Sequence, residues 1–156
     1  MKQYFLKLYQ YNQWANKRVM DCLVRQNVDD EKILVLMSHV VSALFIWLSR
    51  ITGESPEPYP LWKQYSLAEL TRMSDEITQR WIKFVESEEN FDRILVYNNY
   101  VGDPYKNNVE QIMIHLVNHS SYHRGQVAVL LREKGFEPIN TDFITYDRVI
   151  TGQWKD

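Results

Sequence analysis

Three of the four histidines, His115, His119 and His123, are spaced four residues apart. Four residues is slightly more than one turn of an α-helix, so the three imidazoles fall along one side. Two neutral imidazoles at i and i+4 can hold one transition-metal ion from a single helix. The fourth, His39, lies in an earlier apolar stretch and can supply a third ligand. Three nitrogens leave positions on the metal open, which a catalytic centre requires.

On a helical wheel with His115 at zero, His119 falls at about 40° and His123 at about 80°, among Ile112 and Leu130 near 60°, Leu116 near 100° and Val127 near 120°, all approximate. His119 and His123 therefore sit inside the apolar stripe. His115 sits at its edge, where a hydrogen-bonding role behind the ligands suits it better. Arg124 points the opposite way. A buried polar nitrogen without a partner costs roughly 1–3 kcal/mol. A shared metal would satisfy both rings, and so would a carbonyl, a hydroxyl or water. His39 shares its face with Leu36, Ala43 and Trp47, and becomes the third ligand if its helix packs against the histidine helix. Such an open site resembles hydrolytic zinc centres, whose bound water has a pKa of about 7. Imidazoles also suit nickel, copper or iron, so the residues do not select the metal. The glutamate that follows the first histidine of zinc-protease helices is missing from His119-Ser120-Ser121-Tyr122-His123. Gln126 shares the face of His119 and can support a ligand but cannot act as a base. A nucleophile elbow, a phosphate loop and a dinucleotide fingerprint are absent.

Four long helices must position these residues. Phe5, Leu8, Tyr11, Ala15, Val19 and Cys22 recur at helical spacing and predict a helix from about Lys2 to Gln26. Asp29 is the expected N-cap of a second helix that carries Asp30 and Glu31 in its first turn and runs to Thr52, with Gly53 beyond it. That helix is apolar nearly all round, hence buried on several sides. Its exceptions, Ser38, Ser42 and Ser49, form a small-residue stripe, read either as tolerated small residues or as a close contact across a dimer. Gly53 to Tyr65 is a loop rich in proline, with Pro56, Pro58 and Pro60. Ser66 to Glu69 fits a capping box opening a third helix to about Glu86. Phe91–Tyr97 and Tyr100–Tyr105 flank Asn98-Asn99 as a small hairpin. Asn107 to Glu110 caps a fourth helix ending at Lys134, with Gly135 and Pro138 after it, and Gly125 within it marks a close helix–helix contact. Thr141 to Ile150 forms a short fifth helix. The expected fold is all-α, a four-helix bundle in a single domain over residues 1–156.

The formal net charge is −2, and no basic patch suits nucleic acid. The N-terminus lacks the apolar core of a signal peptide, and no segment reads as long enough to span a bilayer. The single cysteine, Cys22, cannot pair internally and is read as a packed core thiol. Together these features place the protein in the cytoplasm. Trp14, Trp47 and Trp62 are read as core residues that can alternatively line an apolar pocket near the metal.

The string His115-Leu-Val-Asn-His119-Ser-Ser-Tyr-His123-Arg-Gly-Gln126 resembles the helix-4 signature of the DinB (damage-inducible) family. Tyr11 to Asn16, Ser38-His39-Val40 and Thr141 to Tyr146 are similar to its opening, its third-histidine position and its closing segment. The resemblance implies a four-helix bundle, usually dimeric, with one divalent metal held by His39, His119 and His123. The family is similar in fold to transferases that use mycothiol or bacillithiol and to metal-dependent hydrolases. The implied function is a metal-dependent enzyme of the thiol-dependent S-transferase type, with a hydrolase or a non-catalytic metal or stress-ligand binder as alternatives. The implied cofactors are a divalent transition metal, zinc or nickel ahead of others, and a low-molecular-weight thiol. The expected partners are a small-molecule substrate and a second copy of the chain, with neither nucleic acid nor membrane.

Overall fold

Helix α1, Lys2–Arg25, presents Phe5, Tyr9, Ala15, Val19 and Leu23 to the interior. Helix α2, Glu31–Thr52, follows after a turn in which Asn27 adopts a positive φ of 51°. Its N-cap is Asp30, where the sequence predicted Asp29. The Asp30 side chain accepts from the Ile33 amide at 3.2 Å and pairs with Lys134 at 2.6 Å, so the residue three before Ile33 closes the first turn. The computed structural model describes residues 1–54 and 59–154; Pro56 and Pro58 of the proline-rich loop lie outside the described residues.

Helix α3, Leu67–Ser87, opens with a reciprocal capping box between Ser66 and Glu69. Strands β1, Ile94–Asn98, and β2, Pro104–Asn108, pair antiparallel, with Tyr97 opposite Tyr105. The expected tight turn at Asn98-Asn99 is instead the loop 99–103. The Asn99 side chain accepts from the Val101 and Asp103 amides, Gly102 takes φ 94°, and Pro104 begins a strand, where proline is tolerated. Strand β2 runs directly into α4, Val109–Glu133, through an Asn108–Gln111 capping box. The carbonyls of Arg93 and Phe91 accept from the first α4 amides, so the hairpin and the helix start form one hydrogen-bonded unit. Helix α5, Phe143–Ile150, closes against α1, with Asp142 at its N-cap.

The principal packing joins α1 to α3, α3 to α2, α2 to α4 and α4 to α1, a four-helix ring around one core. Helix α2 lies deepest. By length and mean hydropathy it could cross a bilayer, which corrects the expectation that no segment could. Of its most apolar window, however, 72% is buried inside the chain, so its apolar surface is spent on the other helices. The serine stripe is also internal. Ser38 Oγ donates to Leu34 O at 2.7 Å and accepts from the Tyr65 amide at 3.1 Å. The small side chain thus admits the chain that leaves the proline-rich loop. Cys22 is buried and donates to Glu137 O. Gly125 does not mark a tight helix contact, since a Cβ there would meet nothing within 4 Å.

Trp81 is the largest fully buried side chain and donates its indole N–H to Leu44 O at 3.1 Å, tying α3 to α2. Trp81→Ala is expected to destabilise the protein by roughly 3–5 kcal/mol, read as a lower urea midpoint at unchanged slope.

Candidate metal centre

Helix α2 contributes one imidazole and α4 two. His39 and His123 are 7% and 8% exposed, and the possible ligand nitrogens of His39, His119 and His123 all lie within 4.8 Å of one another. His39 Nε2 and His119 Nε2 approach to 2.9 Å. Two nitrogens bound to one tetrahedral zinc ion lie about 3.4 Å apart, so the widest pair needs up to about 1.4 Å of closure.

Hydrogen bonds behind the rings decide which nitrogen faces inward. His39 Nδ1 lies 3.0 Å from the carbonyl oxygen of Leu61. A carbonyl only accepts, so Nδ1 carries the proton and the neutral ring turns its Nε2 lone pair toward the cluster. His123 Nδ1 donates to Gln126 Oε1 at 2.6 Å, which leaves Nε2 as the bare nitrogen of that ring when neutral. His119 Nδ1 is buried without a protein partner; with His39 Nε2 bare, the 2.9 Å contact is His119 Nε2–H donating to it, a proton that a metal ion would displace. Trp62 stacks on His39 with ring centroids 3.9 Å apart and planes 4° apart, roofing the cluster from the loop.

Burial holds the pKa of His39 and His115 below the ordinary imidazole value. His119 is pushed down to about 3, first by burial and then by the neighbouring imidazoles. These are the conditions a metal ligand needs, since only the neutral ring has a lone pair to give. His115 does not join the cluster. It lies on the exposed side, 5.5 Å from the His119 ring and edge-on to Trp47. With Trp47, Tyr97, Gln111 and Ile112 it lines a cleft of about 250 Å³ between α2, α4 and the hairpin. Arg50 stacks over Trp47 and Tyr97 nearby. Of the tryptophans considered, Trp47 and Trp62 reach this region, whereas Trp14 packs on Tyr146 against α5.

Two features were missed in the sequence. The Leu61 carbonyl leaves no trace, because any residue type supplies it. The opposite face of α4 packs on α1 and buries Arg124 against Asn12, Asn16 and Tyr11. Asn12 and Asn16, four apart and flanking Ala15 in an apolar stripe, were a readable sign of a buried polar partner.

A four-helix bundle with three imidazoles converging from two of its helices and an open cleft alongside defines a class of proteins able to bind a metal at such a site. The DinB family model matches residues 1–155, and the chain belongs to the DinB family. It is 26% identical over 163 residues to Protein DinB of Bacillus subtilis strain 168, covering 94% of this chain and 95% of that protein. It is 20% identical to the uncharacterized protein YizA of the same strain, over 89% of this chain and 93% of that one. A crystal structure of a DinB-like protein from Bacillus cereus ATCC 10987 superposes with a TM-score of 0.60 at 20% identity, covering 87% of this chain and 94% of that chain, which bears on the fold.

The lowered imidazole pKa values give stability a pH dependence. Unfolded histidines titrate near 6.5. As pH falls below that value the unfolded chain binds protons that the native chain refuses, so native stability declines toward the folded pKa of about 3. The melting temperature of metal-free protein is expected to fall between pH 6.5 and about 4.5, above most carboxylate titration. His119→Gln should flatten that fall; a wild-type profile that stays level across the window contradicts it.

Proposed function

We propose that the chain is a divalent-metal-dependent enzyme acting on a small molecule, with His39, His119 and His123 as ligands and zinc or nickel as the metal. The reaction is the transfer of a low-molecular-weight thiol to an electrophile. The protein works in the cytoplasm as a homodimer and contacts neither nucleic acid nor membrane. The observation that carries the reading is the preset inward lone pair of His39, held by Leu61 O, facing His119 at 2.9 Å.

A bound ion would supply Lewis acidity, lowering the pKa of a coordinated thiol or water. The chain's residues perform the rest. Leu61 O and Gln126 Oε1 orient the rings, as hydrogen bonds behind metal ligands do. Trp62 covers His39. Trp47 and Tyr97 offer apolar walls beside the site, and Gln111 and Asn107 offer amides. Among the described residues no carboxylate lines this cleft. That composition suits a nucleophile that needs little help losing its proton, which places a thiol ahead of water.

Elemental analysis of protein purified without a metal-binding tag is expected to give about one divalent ion per chain. His123→Ala should abolish it, and Gln126→Leu should weaken binding roughly 10–100-fold. Metal-loaded protein should then consume an electrophile only when a small thiol is present. Turnover of activated esters without thiol would favour the hydrolase. Stoichiometric metal with neither activity would favour a binding protein, and failure to bind any of Zn²⁺, Ni²⁺ and Mn²⁺ would overturn the reading.

A further inference from the structure

The side of α4 turned away from the histidines carries a charge without a counter-charge. Arg124 is 2% exposed. Its Nη1 donates to Asn12 Oδ1 at 2.8 Å and Asn16 Oδ1 at 2.7 Å, and its Nη2 to Tyr11 Oη at 3.1 Å and Ser121 Oγ at 2.9 Å. All four acceptors are neutral. Among the described residues no carboxylate pairs with it, and its Nε–H is buried without an acceptor. Buried cations are ordinarily paired.

Arg124 lines a cavity of about 380 Å³ between α1, α4 and residues 138–142, and Gly125 lines it too. Glycine inside a helix is less stable than alanine and is kept where something approaches the backbone closely. Here a Cβ would meet nothing within 4 Å. The backbone at Gly125 therefore borders free space in the cavity, room that a larger side chain would occupy.

We propose that this cavity binds a compact monocarboxylate with an apolar body. The carboxylate is balanced by Arg124 and by Arg132 further along the same wall, and the body lies over Gly125 against Ala128 and Ile139. The four hydrogen bonds of Arg124 occupy all its Nη hydrogens and fix its plane, so its charge attracts the ligand at a distance and the direct contact falls to the exposed Arg132. Asp142 also borders the cavity, its carboxylate accepting from Asn140 Nδ2 at 3.3 Å. Two arginines against one aspartate leave a single positive charge, which matches a monoanion. The site lies on the other side of α4 from the histidines and does not depend on their role.

Calorimetric titration with benzoate and hexanoate at constant ionic strength tests this, with benzamide as the neutral control. At least one carboxylate should bind saturably and benzamide at least tenfold more weakly. Gly125→Leu, which occupies the free space, and Arg132→Gln should each weaken carboxylate binding about tenfold, as expected for losing contact with a charged group. Circular dichroism should show both variants folded. Absence of saturable binding by both carboxylates, equal binding of benzamide, or affinity unmoved by both substitutions overturns the proposal.

Discussion

The histidine cluster depends on His39 and His119 facing one another without charge. Two protonated rings at a nitrogen separation of 2.9 Å would repel strongly in a partly dry site. Burial, which holds His39 and His119 below their ordinary pKa, is therefore a condition of the geometry as well as its result. The packing of α2 against α4 supplies that burial, and the Leu61 carbonyl and Gln126 amide determine which nitrogen each flanking ring presents. Without that contact His39 and His119 would lose the burial that lowers their pKa and the rings would no longer be held together.

Helix α4 is correspondingly two-sided. One side gives imidazoles to α2 and the other gives a guanidinium to α1, so the helix is anchored by polar groups along opposite edges. The capping box at Asn108 and the carbonyls of Phe91 and Arg93 fix its start. This matters because a rotation of α4 by one residue, about 100°, would take His119 and His123 away from His39 and Arg124 away from Asn12 together. The polar networks set the register that apolar packing alone leaves loosely specified.

Much of this was legible in the chain itself. The four long helices follow from apolar periodicity, and Ser66, Asn108 and Gly53 punctuate them through chemistry visible in single residues. The i, i+4, i+8 histidines place three rings on one side of α4, and the wheel separates His115 from the other two. Spacing along the chain cannot say that α2 lies beside α4, because that pairing is a property of the assembled core. The hairpin turn differs from the expected Asn98-Asn99 because the Asn99 side chain organises a five-residue loop that strand propensity does not describe. Burial of Arg124 was missed because a charged residue defaults to solvent unless its partners are recognised in advance.

The support of His39 by a main-chain carbonyl has a consequence for how the protein can diverge. Any amino acid at position 61 furnishes the same oxygen, so the residue can drift while its role persists. Lengthening or shortening the connection between α2 and α3 would instead move that oxygen and the overlying Trp62 together. Relatives should thus tolerate substitution in this connection more readily than insertion, and variation in its length would be the mark of a lineage whose chemistry has changed.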